Sequence, residues 1–331
     1  MRYVGIDLHK RFLVACVQDD AGSTLASERL ACREMKRIAQ FFDTHRPFQA
    51  VIEASSSYRW LYDLLSPRGE VILAHPLQLR AIVAGRAKTD KLDAALLAKL
   101  LRAGLVPRSY VPPASYQHLR DLTRARARLS RQATAAKNEV HTLLRRRNIA
   151  APYTVLFGPR GRRWLASLEV GPVDGLLRDE LLARLDHYDA ALAMHDRLLD
   201  ELASGFPEAE ALTCLYGIGL YSALLIVAEI GEPWRFVDGR KVGAYAGLTA
   251  RVHQSGSQNY TGHITRQGSP WLRWILVQAA MKLVRRDVKL GNFYQRVRKR
   301  SGVKVARVAA ARKLAEICWL RLMRWHRTAA A

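Results

Sequence analysis

Four carboxylates in the first third of the chain have the types and spacing of a metal-dependent site. Asp7 closes one apolar run and Glu53 closes a second. Asp90 and Asp93 open an amphipathic helical pattern and are three residues apart, so they share a face of its first turn. Carboxylate oxygens are the ligands that Mg²⁺ or Mn²⁺ prefers, and two such ions can hold the attacking and leaving oxygens of a phosphodiester. The spaced set therefore predicts a metal site for phosphoryl transfer.

Each of these carboxylates has a simpler explanation when it is taken alone. An Asp at the end of a strand is usually a turn residue, and Asp90 alone is typical of a helix N-cap. A charged side chain within an apolar strand nevertheless needs a partner or a metal ion. The set of four favours the metal interpretation.

A second group of reactive residues lies in the polar, glycine-rich stretch at residues 249–270, between two apolar helical patterns. A long loop inside a compact domain is usually functional or disordered, although a solvated hairpin without chemistry would look the same. Ser255, next to Gly256, predicts an exposed hydroxyl nucleophile, with nearby cations for a phosphate. Ser257 is a second candidate nucleophile, and Tyr260 is a third, because a tyrosine hydroxyl can also act as a nucleophile.

The elements around the four carboxylates predict an α/β domain over residues 1–113. Three strands close together in sequence should be antiparallel, whereas later strands that alternate with helices should be parallel. This order, with carboxylates on the first and fourth strands, is typical of an RNase H-like (RuvC-like) fold. We predict strands at residues 3–8, 12–18, 24–30, 50–53 and 71–74, and helices at 33–45, 58–66 and 90–103.

Residues 114–204 predict a helical coiled-coil arm. Residues 114–147 lack Gly and Pro and place leucines at helical spacing among many arginines, and residues 178–203 repeat the spacing with many acids. The two helices would pair within one chain or between protomers. The basic helix favours a nucleic-acid face over a solvated one, because it has few acids to pair with. The intervening residues 149–177 look like a loop, in which residues 160–164 are either a contact for a strand by charge and stacking or a mobile basic loop.

Residues 205–331 predict a mostly α-helical domain. The turn Gly217-Ile218-Gly219 resembles a helix-hairpin-helix turn that offers N–H groups to a phosphate, and an ordinary glycine turn explains it equally well. Residues 281–327 hold 15 Lys or Arg and two acids. That balance predicts a surface for nucleic acid. We expect helices at 236–248, 271–284 and 303–324.

Composition narrows the class of partner. The chain has 331 residues and a net charge of +24, which predicts a polyanionic partner and salt-sensitive binding. The charge is spread along the chain rather than gathered in one short patch, and no apolar run approaches the length of a membrane span, so no membrane partner is expected. The four cysteines form no Cys-x-x-Cys pair, which disfavours zinc and fits a reducing compartment. With no predicted signal peptide, we expect a cytoplasmic, nucleoid-associated protein.

The chain resembles the DEDD-type insertion-sequence transposases, which are bridge-RNA-guided recombinases with a RuvC-like N-terminal domain and a C-terminal transposase domain. The resemblance covers nearly the whole chain. The motifs that carry it are Gly5-Ile6-Asp7-Leu8-His9-Lys10, Glu53-Ala54-Ser55, Lys88-Thr89-Asp90-Lys91-Leu92-Asp93-Ala94, Gly217-Ile218-Gly219, Ala246-Gly247-Leu248-Thr249, Gln254-Ser255-Gly256, and Gly268 followed by Leu272-Arg273.

The resemblance implies a division of roles. Asp7, Glu53, Asp90 and Asp93 would bind Mg²⁺ (or Mn²⁺), and Ser255 would become linked to a DNA 5′-phosphate. The partners would be donor DNA, target DNA and a noncoding bridge RNA from the element. The protein would be a homo-oligomer, a dimer or a tetramer, with sites formed between domains of different protomers.

Two other functions fit the residues alone. One is a RuvC-like Holliday-junction or structure-specific metal endonuclease, in which water attacks and no covalent intermediate forms. The other is a non-enzymatic nucleic-acid-binding protein. For all three functions, the predicted nucleic-acid contacts are Arg120, Arg124, Arg128, Arg131, Gly217, Gly219, Arg251, Arg266, Arg273, Arg298, Lys299 and Arg300.

Overall fold

The computed structural model describes residues 1–55, 57–83, 90–255 and 258–329, without the side chains of residues 83, 90–92, 252–255 and 258–261. The chain forms two compact units, Met1–Val111 and Pro112–Ala331, which are described separately. The predicted division of the second unit into an arm, residues 114–204, and a domain, residues 205–331, stays a prediction.

The first unit is built on a five-stranded sheet in the order β3-β2-β1-β4-β5. β1 pairs antiparallel with β2, and β2 with β3, whereas β1 and β4 and then β4 and β5 run parallel. The predicted strand positions and directions are therefore confirmed. The strands are β1 (Arg2–Leu8), β2 (Phe12–Gln18), β3 (Thr24–Ala31), β4 (Phe48–Glu53) and β5 (Glu70–Ala74).

Helices cover both faces of this sheet, because side chains alternate between the two faces along each strand. On one face, buried strand residues such as Val4 and Ile6 pack with Ile38 of α1 (Met35–Thr44) and Leu61 of α2 (Arg59–Leu65). On the other, Val51 and Ile72 pack with the leucines of α4 (Asp90–Arg102). Helix α3 (Pro76–Val83) was not predicted.

Two long helices of the second unit form an antiparallel pair within the chain. α5 (Ala114–Arg146) runs beside α7 (Pro172–Leu202), with Arg126 paired to Asp196 and Arg147 paired to Asp174. The loop predicted at residues 149–177 was partly wrong, because α6 (Pro159–Ser167) lies there and α7 begins at Pro172. Both prolines occupy first helical positions after a glycine N-cap, where proline starts a helix rather than breaking one.

The core of the second unit surrounds α9 (Leu220–Ile230), in which residues 223–230 are all buried. A glycine turn joins the short α8 (Glu210–Thr213) to α9, so the predicted helix–turn–helix order is confirmed. The remaining helices are α10 (Gly239–Tyr245), α11 (Pro270–Leu283) and α12 (Val288–Ala329), the last broken at Gly302. In the described part of the chain, no helix is long and apolar enough to cross a membrane.

The stretch at residues 249–270 is not a loop throughout. β6 (Ala250–Ser255) and β7 (Gln258–Ile264) form a separate two-stranded antiparallel sheet. Its sequence is polar at nearly every position, so it lacks the apolar alternation from which half-buried strands are predicted. The prediction of a long loop was wrong for this reason.

Candidate active site

Three of the four predicted carboxylates line one cavity in the first unit. Asp7 and Glu53 lie at the carboxyl ends of the neighbouring parallel strands β1 and β4, whose register pairs Ile6 with Ile52. Asp93 lies in the first turn of α4. The three carboxylates, with Arg80 and four leucines, line a cavity of about 120 Å³.

A glycine allows α4 to lie directly on β1. A Cβ atom at Gly5 would be 2.0 Å from the carbonyl oxygen of Ala94 and 2.4 Å from the amide nitrogen of Ala98. Only a residue without a side chain leaves room for this contact. Because Asp93 precedes Ala94, the close packing places its carboxylate beside the strand ends that carry Asp7 and Glu53.

His9 is a neighbour of the site that was not among the predicted site residues. Its Nε2 lies 3.0 Å from Oδ2 of Asp7, and its ring stacks on Phe12 with ring centroids 4.6 Å apart. Arg80 on α3 was also missed. In the sequence, His9 could have been recognised by its position two residues after Asp7, whereas no local pattern distinguishes Arg80.

The carboxylates share a cavity without forming a finished coordination sphere. Within the described ranges, no three His, Cys, Asp or Glu side chains are arranged to hold a metal ion. The side chain of Asp90, the first residue of α4, lies outside the described residues. The donors that line the cavity are all hard oxygens, so their chemistry fits Mg²⁺ or Mn²⁺ rather than a softer metal.

The predicted nucleophile lies in the hairpin of the second unit. Ser255 is the last residue of β6 and is paired with Gln258, the first residue of β7. The backbone therefore places Ser255 at the tip of the ribbon. Its side chain and that of Tyr260 lie outside the described residues, as does Ser257 as a whole.

Hydrogen bonds to backbone carbonyl groups hold the two chain ends of the hairpin. The amide of Thr265 donates to the carbonyl of Thr249 at 2.8 Å, and the amide of Ser269 donates to the carbonyl of Tyr245 at 3.0 Å. Gly268 has φ of +108°, and a Cβ atom there would be 2.0 Å from the oxygen of Tyr245. Arg273 donates to the carbonyl of Ala246 at 2.9 Å. The two ends of the hairpin are thus fixed against the helical core.

A buried carboxylate on α9 joins these contacts to α5. Glu229 is fully buried and accepts two hydrogen bonds from Arg124, at 2.6 and 2.9 Å, and one from the hydroxyl of Ser269, at 2.8 Å. Burial alone would lower the pKa of Arg124, but the hydrogen bond to Glu229 and its charge outweigh burial and raise that pKa. Ser269 also caps α11 by accepting from the amide of Leu272. This Glu229 cluster (Glu229, Arg124 and Ser269) ties three elements together.

The predicted nucleic-acid residues differ in how far each is exposed and in what it contacts inside the protein. Arg120 donates to the carbonyls of Ala228 and Glu229, and Arg124 is held by Glu229, so both also act inside the protein. Arg273 is partly buried, and burial together with nearby Arg266 lowers its pKa. The glycines Gly217 and Gly219 form the turn before α9. The exposed members are Arg128, Arg131, Arg251, Arg266, Arg298, Lys299 and Arg300. Contact with nucleic acid stays a prediction for all of them.

Comparisons with known proteins match both units. A family model described as "Transposase" matches residues 4–149, and a second, described as "Transposase IS116/IS110/IS902 family", matches residues 209–295. A "Probable family 20 transposase" of Pseudomonas aeruginosa is 30% identical over 97% of this chain and 96% of its own length. The transposase for insertion sequence element IS1111A of Coxiella burnetii is 25% identical, over 98% of this chain and 90% of its own length. The transposase for IS1328 of Yersinia enterocolitica is 26% identical, over 96% of this chain and 95% of its own length.

These matches extend over the acidic cavity of the first unit and the hairpin of the second, and they define the class of protein as an insertion-sequence transposase. The chain belongs to the IS116/IS110/IS902 transposase family.

Proposed function

We propose that this transposase cleaves and rejoins DNA strands as a site-specific recombinase, with an acidic site at Asp7, Glu53, Asp90 and Asp93 and a serine nucleophile at Ser255. The observation that carries the proposal is the single cavity lined by Asp7, Glu53 and Asp93, which come from three elements far apart in sequence. Carboxylates that lie close together repel one another at neutral pH, so their placement at the ends of adjacent parallel strands favours a bound cation.

The sheet supports an RNase H-like (RuvC-like) assignment for the first unit. Its order β3-β2-β1-β4-β5, antiparallel on one side of β1 and parallel on the other, is the order expected for that fold. The carboxylates then lie on the central strand and on its parallel neighbour, at the carboxyl ends of both strands.

The four acidic residues would hold Mg²⁺ or Mn²⁺. Bound there, the ion would act as a Lewis acid that stabilises negative charge developing on a phosphate. The hydrogen bond from His9 would keep the Asp7 carboxylate in one orientation. Arg80 would offset part of the negative charge in the cavity, which lowers the cost of bringing the carboxylates together.

Ser255 would act by nucleophilic displacement at phosphorus. A bond forms between its Oγ and the phosphorus of DNA, the bond from phosphorus to the 3′-oxygen breaks, and the proton of the serine hydroxyl ends on that 3′-oxygen. Attack by a 3′-hydroxyl of another strand reverses these changes and releases the serine. Because the phosphodiester energy is kept in the protein–DNA ester, strands are joined without an external energy source.

The partners proposed for this activity are donor DNA, target DNA and a noncoding bridge RNA, bound by a dimer or a tetramer. The net charge of +24 and the exposed cations of the second unit support a polyanionic partner. RNA guidance itself rests on the resemblance of the motifs to bridge-RNA-guided recombinases.

The test is to trap the covalent intermediate on a nicked DNA substrate that carries the ends of the element. We expect wild type to form a denaturant-resistant protein–DNA adduct and Ser255→Ala to form none, while Ser257→Ala and Tyr260→Phe retain it. Asp7→Asn should lower adduct formation by roughly 100-fold or more but leave DNA binding nearly unchanged. Asp63→Asn, which changes an exposed acid on α2, is the matched control and should behave as wild type.

Three other outcomes would contradict all or part of the proposal. Strand cleavage without any adduct in wild type would indicate a metal endonuclease in which water attacks. Binding without cleavage, unchanged by Asp7→Asn, would indicate a non-enzymatic binding protein. An adduct that persists in Ser255→Ala and disappears in Tyr260→Phe would reassign the nucleophile.

A further inference from the structure

The short helix α6 presents two different faces. Gly161 and Leu165, one turn apart, are buried, Leu165 among residues of α5 and α7, and a Cβ atom at Gly161 would be 2.0 Å from the carbonyl oxygen of Leu156. Arg160, Arg163 and Ser167 recur at the spacing of the opposite face and are exposed. The close packing at Gly161 fixes which face of the helix meets solvent.

Arg162 lies between the outer face of α6 and two acidic residues of α7. Its guanidinium donates to the carboxylates of Asp186 and Asp189 on α7, and its Nε donates to the carbonyl of Phe157 at 3.1 Å. Its neighbours Arg160 and Arg163 have no ion-pair partner among the residues that the structure describes. The outer arginines therefore keep their positive charge available to an anion.

Two aromatic rings complete the outer surface. Trp164 packs against a cluster of buried apolar side chains from α5 and α7, which holds the indole in place. The ring of Tyr153 meets it at 70°, with ring centroids 6.4 Å apart, and Tyr153 is 39% exposed. Tyr153, Arg160, Arg163, Trp164 and Ser167 line one open hollow. We call this set the α6 hollow.

We propose that the α6 hollow binds an unpaired nucleotide of a single-stranded nucleic acid, with the base stacked on the aromatic rings and the flanking phosphates on Arg160 and Arg163. An aromatic ring packed in place can stack on any base, because every base has a face, and the planar guanidinium of Arg can donate two hydrogen bonds to a phosphate. The bases of a duplex are already stacked on each other, so a duplex can offer this surface only its phosphates. The hollow therefore selects a single-stranded segment, in DNA or in RNA.

The experiment compares affinities of the full-length protein for a single-stranded oligonucleotide and for a duplex of equal length, in DNA and in RNA. Arg160→Gln/Arg163→Gln is compared with Arg33→Gln/Lys36→Gln, which removes the same charge from exposed positions of the first unit. We expect the α6 pair to lower single-strand affinity about tenfold and duplex affinity much less, whereas the control lowers both slightly. Tyr153→Leu, at an exposed position, tests stacking without disturbing the core, and should lower single-strand affinity roughly fivefold.

Ultraviolet crosslinking of the single strand, followed by peptide mapping, gives an independent readout. We expect adducts at Tyr153 or Trp164. Equal losses for single strand and duplex, a control pair as damaging as the α6 pair, or crosslinks confined to other segments would overturn the proposal. A loss seen only with RNA or only with DNA would support it and identify which single strand is bound.

Discussion

Gly5 determines whether the acidic cavity can form. Its missing side chain lets the backbone of α4 lie on β1, so the position of Asp93 depends on a residue that carries no chemistry itself. A contact of 2.0 Å between a Cβ atom and a backbone oxygen cannot be relieved by a rotamer change. The helix or the strand has to move.

We therefore expect Gly5→Ala to displace α4 and to reduce DNA cleavage by a larger factor than its effect on stability would explain. The overpacking should cost about 1–3 kcal/mol of unfolding free energy, measured by urea denaturation. Gly175→Ala is the control, because a Cβ atom there meets only Val170 at 3.9 Å, and it should stabilise or leave stability unchanged. Cleavage at the wild-type rate by Gly5→Ala would show that the cavity does not need this packing.

At the scale of elements, the hairpin of the second unit is held by contacts at its two chain ends rather than by an apolar core of its own. Its two strands are polar, and a two-stranded sheet alone is marginally stable in water. Its order depends on the Glu229 cluster, the backbone bond between Ser269 and Tyr245, and the bond from Arg273 to Ala246. The position of Ser255 thus depends on contacts made by residues that are nine or more positions away from it in the chain.

Glu229→Gln should disturb this arrangement, because it leaves Arg124 beside a neutral group in a buried setting. We expect a loss of about 1–3 kcal/mol in unfolding free energy and faster amide exchange in residues 250–264. Asp196→Asn breaks an ion pair whose carboxylate is 45% exposed, so it should cost less than ~1 kcal/mol and leave exchange in the hairpin unchanged. Equal exchange in both variants would show that the Glu229 cluster does not order the hairpin.

At the scale of the whole molecule, positive charge dominates. Binding to a polyanion releases counterions, so the logarithm of the association constant should fall linearly and steeply with the logarithm of salt concentration. Many of the charges are exposed on α12, where Arg298, Lys299 and Arg300 are consecutive and open to solvent.

We expect the triple change Arg298→Gln/Lys299→Gln/Arg300→Gln to reduce the salt slope of DNA binding by about 2 to 3, since each phosphate contact contributes about one. Fluorescence anisotropy between low and physiological salt measures this slope. The pair Arg33→Gln/Lys36→Gln should change it less. A wild-type affinity that does not respond to salt would contradict a phosphate-binding surface.

Local patterns were enough to predict the sheet. Short segments of four to seven residues, separated by polar turns or helices, located all five strands of the first unit, and their separations along the chain indicated which pairs are antiparallel. Adjacent parallel strands bring their carboxyl ends to one edge, so the meeting of Asp7 and Glu53 also followed from sequence. α6 was not predicted, because the glycines and prolines of residues 149–177 resemble those of a loop. At residues 249–270 the sequence left a loop and a hairpin open, because a polar ribbon has no apolar period that would distinguish the two.

The sequence by itself determined the five strands of the first unit, the long helices, the positive charge and the motifs of the family, because each depends on residues close together along the chain. Only the tertiary structure decided which arginines are used internally: Arg120, Arg124 and Arg162 bind groups of the protein, whereas Arg160 and Arg163 face solvent. It also decided that α4 meets β1 at Gly5. The physical reason is that a charge or a glycine acquires its role from atoms that are distant in sequence, and folding alone brings those atoms into contact.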